Sequence, residues 1–385
     1  MKNSEGLNIR PKREKMPRKT QAVISLSNIK SNYLLANNLA PQSKNIAIIK
    51  ADAYGHGLQA VAKCLDALVP AFGVAIIDEA ITLREAGITK NILLLQGVTS
   101  KDEVELAFKH NLWLSLHSPQ QLDLILSVNK TNEALNKYKP LKLWLKVDTG
   151  MHRLGLDQNQ LIAALESIKQ CPWIGDDYVV SSHFSCANEL GNDESNQQIK
   201  RFNSILEKAK VSKSIQLSFS NSSALVNIPK VNLDWNRPGI MLYGLPLFDG
   251  KHASDNQLKP AMSFESEVIA LRDVKPGDSV GYGKGWTANK DSKIATIAVG
   301  YADGYPKQAK NGTPVLVNGK RAKLVGAVSM DLITVDVTEI GKVTIGDKVE
   351  LWGVNLCANE VAAWSGTIGY DLVAGVGFRV PRVYY

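Results

Sequence analysis

The chain has 385 residues, 44% of them hydrophobic and 21% charged, so it is long and apolar enough for a soluble globular protein with a large buried core and two domains. Its net charge of +8 suggests nucleic-acid or membrane binding, but residues 1–19 alone carry a net +5, and the remaining +3 is unremarkable. No apolar stretch approaches the length of a membrane span, and Cys64, Cys171, Cys186 and Cys357 are too dispersed for a zinc site or disulfide framework, which points to a reducing cytoplasm.

In chain order, the basic leader 1–19 has no apolar h-region and reads as a disordered tail. The extended segment 22–27 is expected to pair with a β-rich domain further along. From residue 45 onward, short apolar β-branched runs alternate with amphipathic stretches. The predicted strands are Asn45 to Lys50, Phe72 to Ile76, Ile92 to Gly97, Trp113 to His117, Leu141 to Val147, Tyr178 to His183, Ile215 to Ser220 and Trp235 to Tyr243. Between two of them, Ile77 to Ala86 reads as a helix stopped by Gly87. Eight such units imply an α/β chain whose residues 20–250 close into a (β/α)8 TIM-like barrel; an open doubly wound sheet is the alternative, but no G-x-G-x-x-G loop follows the first strand. After about residue 250, Pro276-Gly277 and Asn318-Gly319 punctuate closely spaced strands, so residues 251–385 read as an all-β domain.

Barrel enzymes draw their chemistry from the C-terminal ends of strands. Those ends here are Lys50, His117, Lys146 with Asp148, His183, Asn221 with Ser222, and Arg237 with Gly239. Lys50 follows Ile46-Ala-Ile-Ile49, surroundings that desolvate its ammonium and lower its pKa toward a nucleophilic amine, the chemistry of a Schiff-base lysine. Ser220 to Ser223 and Arg237-Pro-Gly239-Ile240 occupy the seventh and eighth loops, where barrels commonly hold a phosphate on backbone N–H groups. A reactive lysine facing a phosphate cradle is what pyridoxal phosphate requires.

Several further runs occur in a consistent order: Lys146-Val-Asp-Thr-Gly-Met-His-Arg153, Ser182-His-Phe-Ser-Cys-Ala187, Arg237-Pro-Gly-Ile-Met-Leu-Tyr-Gly244, Gly281-Tyr282-Gly283, Gly300-Tyr-Ala-Asp-Gly-Tyr-Pro306, Val328-Ser-Met-Asp331 and Arg379-Val-Pro-Arg382. With the Lys50 run, they make the chain from about residue 20 to Arg382 resemble the bacterial alanine racemases, fold-type III pyridoxal phosphate enzymes. The resemblance implies that Lys50 carries the cofactor and is one base at the substrate Cα, and that Tyr282, from the partner's β domain in a head-to-tail homodimer, is the other. It assigns Tyr54, Ser222, Gly239, Ile240 and Tyr370 to the cofactor phosphate and Arg237 to its pyridine nitrogen. There an always-charged arginine disfavours ring protonation and limits side reactions. It further places His183 beside Tyr282, Arg153 and the backbone N–H of Met330 on the substrate carboxylate, and Tyr301 with Tyr370 around the substrate side chain. Lys146 matches a lysine that is carbamylated in many members, and near Arg153 an unmodified ammonium would be unfavourable.

The implied activity is interconversion of L- and D-alanine, supplying D-alanine for peptidoglycan, in a cytoplasmic homodimer with no metal, nucleic-acid or membrane partner. Three positions depart from the family pattern: Asp52 where asparagine is common, Ala327 where an arginine is usual, and Ala374-Gly375 in place of Cys-Arg. A broader-specificity amino-acid racemase and a fold-type III decarboxylase are the competing enzymes; pocket size discriminates the first, and Cys357 lies in no recognisable context for the second. A non-catalytic pyridoxal phosphate carrier has the barrel but no counterpart of residues 258–385.

Overall fold

The computed structural model describes residues 18–128, 138–250 and 252–385. The leader assigned to 1–19 lies outside the described residues up to position 17. Arg18 is held against the β domain, pairing with Asp303 at 2.6 Å.

Short parallel strands run through Lys44–Asn45, Ala47–Ile48, Ala71–Val74, Asn91–Leu94, Leu112–Leu116, Lys142–Lys146, Val179–Ser181, Gln216–Ser218 and Trp235–Asn236. The first two are one strand interrupted at Ile46: Lys44–Asn45 pairs with Trp235–Asn236, while Ala47–Ile48 pairs with Ala71–Val74. This closes the sheet into a ring of eight strand positions, the expected barrel. Helices start where the sequence supplies an oxygen for the first free N–H groups: Ser25, Ser100, Ser118 and Asp157 each accept from the residue three positions on. The predicted helix after residue 76 is Ile77–Glu85, with Gly87 at a φ of 87° beyond its end.

Strand periodicity divides the apolar residues into two sets. One set, including Phe72, Ile92, Leu94, Leu112, Leu114, Leu143 and Leu145, packs outward with the helices. The alternate set, Ile46, Ile48, Ala71, Leu93, Trp113, Trp144, Val179 and Trp235, forms a separate small cluster filling the barrel. In it Trp235 makes edge contacts with Trp113 and Trp144, their ring centres 5.6 and 5.7 Å apart. Moving two residues along from members of this inward row reaches Lys50, Leu95, Ser115, Lys146, Ser181 and Arg237, so the same parity that fills the barrel delivers polar groups to its rim.

The second unit is antiparallel. Met262–Val274 pairs with both Lys348–Trp352 and Ser292–Ile297, and Ile333–Asp336, Lys320–Leu324 and Pro314–Val317 complete a closed sheet between them. Asn318 and Gly319, at φ 50° and 76°, make the tight hairpin turn. Gln21–Ile24 lies antiparallel to Met262–Val274 and parallel to Arg382–Tyr384.

Four expectations need correction. Trp235 to Tyr243 is not one strand: it ends at Asn236, and Ile240–Tyr243 forms a 3-10 turn after Pro238, which has no N–H to continue the ladder. Lys50 does not continue its strand but opens a left-handed turn. Strands Lys320–Leu324 and Arg382–Tyr384 were not anticipated, and two helices, Ala358–Trp364 and Gly369–Ala374, join the otherwise β-rich unit. Among the described residues no helix is long and apolar enough to cross a membrane.

Candidate active site

Lys50 is followed by four left-handed residues, Ala51, Asp52, Ala53 and Tyr54, all with φ of 52–53°. Each such L-residue costs roughly 1–2 kcal/mol, so the turn persists only because its neighbours hold it. Glu79 accepts the Ala51 N–H at 2.6 Å through one carboxylate oxygen and the Ala75 N–H at 2.8 Å through the other. Asp52, which stands where asparagine is common, accepts the Leu58 N–H at 2.7 Å and so serves the start of helix Leu58–Leu65. Arg382 donates to Gly55 O at 3.1 Å, and Gly55 packs so closely that a Cβ there would meet Val373 O at 2.0 Å. This packing brings the neighbouring Ala374-Gly375 segment against the Lys50 turn, whereas Ala327 lies beside Gly281.

The turn opens into a cavity of about 950 Å³ at the C-terminal rim of the barrel. Ten of the residues singled out from the sequence line it: Lys50, Tyr54, Lys146, Arg153, His183, Ser222, Arg237, Gly239, Ile240 and Tyr370. Arg237 is buried and fixed from several sides, donating to Ser218 Oγ and Ser182 O, to Phe219 O at 3.3 Å and toward His183 Nδ1 at 3.4 Å. Ser222 Oγ accepts the N–H groups of Gly239 at 2.9 Å and Met241 at 3.3 Å, which leaves its own proton free to donate. A Cβ on Gly239 would sit 2.9 Å from Tyr54 Oη, so only glycine keeps this corner open. Tyr54 lies between Tyr243 and Tyr370, with ring centres 4.8 and 6.3 Å away.

Four cationic side chains line the cavity against one carboxylate, Asp249. Burial lowers the Lys50 amine pKa; Arg153 adds to the effect, and Glu79 partly opposes it. Lys146 is pulled down to about 8 by burial and then by Arg237 and Arg153. The same causes, burial first and then Arg237, hold His183 well below its ordinary value, so it stays neutral. Burial alone brings Arg237 to about 10, and it remains charged at neutral pH. Burial also pushes Tyr370 up to about 12 and Tyr54 higher, so both phenols keep their protons as donors. The cavity is therefore a site for a ligand of high negative charge. A pyridoxal phosphate fits it: a depressed amine for the aldehyde, hydroxyl donors and a glycine-opened corner for the phosphate, and cations for the remaining anionic groups.

Other singled-out residues do not line it. Tyr282, Tyr301 and Met330 lie on the β unit and are 75%, 40% and 53% exposed, so within one chain Tyr282 is not brought beside His183. His117 and Asp148 do not line the cavity either: His117 contacts Gln96 O at 3.1 Å, and Asp148 accepts the Gly150 and His152 N–H groups at 3.0 and 3.1 Å. Sequence reading missed Glu79, although its place in the first helical turn after a strand was a signal, and it missed Asp249 and Asn359. The last of these sits on a helix that was itself not anticipated.

Comparison with known proteins gives a consistent result. Family models described as alanine racemase N-terminal domain and alanine racemase C-terminal domain match residues 24–246 and 261–384. An alanine racemase of Hahella chejuensis is 41% identical over 373 residues, spanning 95% of this chain and 98% of that protein. The crystal structure of the biosynthetic alanine racemase from Pseudomonas aeruginosa superposes with a TM-score of 0.89 at 41% identity, covering 96% of this chain and 99% of the other. That of the Bartonella henselae alanine racemase, which has covalently bound pyridoxal phosphate, superposes at 0.86 with 30% identity and coverage of 96% and 100%.

Proposed function

Because the chain belongs to the alanine racemase family, and is thus a pyridoxal phosphate-dependent isomerase of L- and D-alanine, we propose that Lys50 and Tyr282 are its two bases. Bound in the cavity, the cofactor supplies the electron withdrawal that acidifies the substrate Cα–H. Lys50, with its pKa lowered by burial, exchanges the proton on one face of Cα. Tyr282 of a second protomer exchanges it on the other. The observation that carries this reading is the division of the site: the cavity gathers Lys50, Tyr54, Lys146, Arg153, His183, Ser222, Arg237, Gly239 and Ile240 of the barrel, while Tyr282, Tyr301 and Met330 stand exposed on the β unit, free to enter another copy's cavity.

On this reading residues 20–250, joined by Tyr370 of the same chain, hold the cofactor, and the rest of residues 251–385 completes the partner's site in a homodimer. Ser222, Gly239, Ile240, Tyr54 and Tyr370 receive the phosphate, Arg237 faces the ring nitrogen with neutral His183 beside it, and Arg153 with the partner's contribution orients the substrate carboxylate. The setting is cytoplasmic and the product feeds peptidoglycan. The test is turnover by purified protein of L-alanine against L-serine, L-lysine and L-arginine. Alanine is expected to be strongly preferred, and comparable turnover of lysine would favour the broader-specificity racemase.

Lys146 is expected to be carbamylated. Carbamylation requires the neutral amine, and a pKa drawn down to about 8 makes that form far more accessible at neutral to mildly alkaline pH than in an ordinary lysine. The product carboxylate also converts repulsion from Arg153 and Arg237 into attraction. Carbon-13 NMR on protein equilibrated with labelled bicarbonate should show one carbamate resonance that is lost in Lys146→Ala and diminishes as pH falls. A bare amine in a high-resolution map would refute it.

A further inference from the structure

Asp303 is completely buried, yet it belongs to the short turn Tyr301–Asp303 on the exposed side of the β unit. Its carboxylate takes a two-pronged contact from Arg18, Nη1 to Oδ1 at 2.6 Å and Nη2 to Oδ2 at 2.8 Å. It also accepts from Arg379 Nε at 2.7 Å and from the Gly300 N–H at 3.0 Å. Arg18 anchors itself as well on Ala298 O at 2.9 Å, at the end of strand Ser292–Ile297. These bonds hold the carboxylate ionised against the cost of burying it.

The same turn fixes the residues expected to meet the substrate. The Tyr301 N–H donates to Ser329 O at 3.1 Å and the Ala302 N–H to Met330 O at 3.0 Å. Gly300 lies so close to this segment that a Cβ would meet Met330 backbone atoms at 2.4 Å. The Tyr301 ring and the Met330 backbone therefore move with the turn, and the turn's buried anchor is Asp303. Without Arg18, Oδ2 would keep only the Gly300 N–H, and the turn would lose its cross-brace to the N-terminal segment. A bidentate guanidinium sets orientation as well as charge.

We infer that Arg18, which precedes both matched family regions, is a positioning residue: through Asp303 it sets where the Tyr301 ring and the Met330 backbone meet the substrate. This rests on the proposed roles of Tyr301 and Met330 in the partner's site. The consequence falls on substrate binding and selectivity and leaves cofactor binding intact, because the cofactor residues line a cavity to which Arg18 does not contribute.

The test is steady-state kinetics of the holoenzyme with L-alanine and L-serine for wild type, Arg18→Ala, Arg18→Lys and Tyr301→Ala, together with cofactor titration by absorbance. Arg18→Ala should raise KM for alanine about tenfold, change kcat by less than roughly threefold and narrow the preference for alanine over serine. Cofactor affinity should match wild type, and Arg18→Lys, a point charge without the fork, should recover part of the KM. If Arg18→Ala is silent while Tyr301→Ala shifts KM and selectivity, this inference alone is overturned. Parallel loss of kcat, cofactor affinity and thermal stability in Arg18→Ala overturns it too, because Arg18 is then only a structural brace. Unchanged KM and selectivity in Tyr301→Ala overturns the site reading beneath it.

Discussion

A Lys50→Ala protein is expected to hold pyridoxal phosphate only reversibly and to racemise alanine at least about 10⁴-fold more slowly than wild type, since one substitution removes both a covalent anchor and a base. Two lysines in the cavity have lowered pKa values, and their surroundings tell them apart. Lys146 stands in the field of both Arg237 and Arg153, where a carbamate relieves repulsion. Lys50 instead heads the turn whose last residue, Tyr54, forms the corner with Gly239 next to Ser222, and Glu79 clamps that turn directly behind the lysine. A turn of four left-handed residues is costly, and a sequence that maintains it beside one amine keeps that amine in one place. Borohydride reduction followed by peptide mapping should place the cofactor label on Lys50. A label on Lys146, or a Lys50→Ala enzyme within tenfold of wild-type activity, would end the assignment.

Tyr282→Phe should retain the cofactor and lose about 10²- to 10⁴-fold in racemisation, the range expected for one general acid–base group. A phenol of reference pKa ~10 is a weak base in water. Tyr282 is largely exposed in the single chain, so any activation must come from the surroundings it enters. In the proposed dimer those surroundings are the cationic cavity with Arg237 and neutral His183, which would stabilise a phenolate. The arrangement has a sharp test in mixed dimers. Lys50→Ala and Tyr282→Phe chains are each inactive, but after random exchange one site in each heterodimer combines an intact Lys50 with an intact Tyr282. Activity should then return to about a quarter of the wild-type value for a two-fold symmetric dimer. If Tyr282 served its own chain, no mixture would recover activity.

Much of the site was legible because barrels obey a strict parity. The apolar runs that carry Lys50, Lys146 and His183 placed those residues at or beside strand ends, Arg237 directly follows the strand that the structure ends at Asn236, and the tryptophans two positions before Lys146 and Arg237 lie in the barrel interior. The Asn318-Gly319 pair announced its hairpin because both residues tolerate the positive φ that the turn demands. Strand Lys320–Leu324 escaped notice because Lys320, Arg321 and Lys323 are all exposed, and only Ala322 and Leu324 are buried. Helix Ala358–Trp364 is too short to show a clear period, and with it Asn359 went unseen.

By itself the sequence determined the alternation of strand and helix, the change of texture near residue 250, and the ionisable groups that stand as candidates at the strand ends, because periodicity and residue chemistry are local properties. Tertiary structure alone decided three things: that Glu79 and Asp52 hold the Lys50 turn in a left-handed form, that Asn359 reaches across from the second unit into the barrel's cavity, and that Arg18 stabilises Asp303 from 285 positions away. Each depends on a hydrogen bond, ion pair or packing contact formed only once the chain has closed on itself. No local pattern specifies which distant partner a buried charge or a strained turn will find.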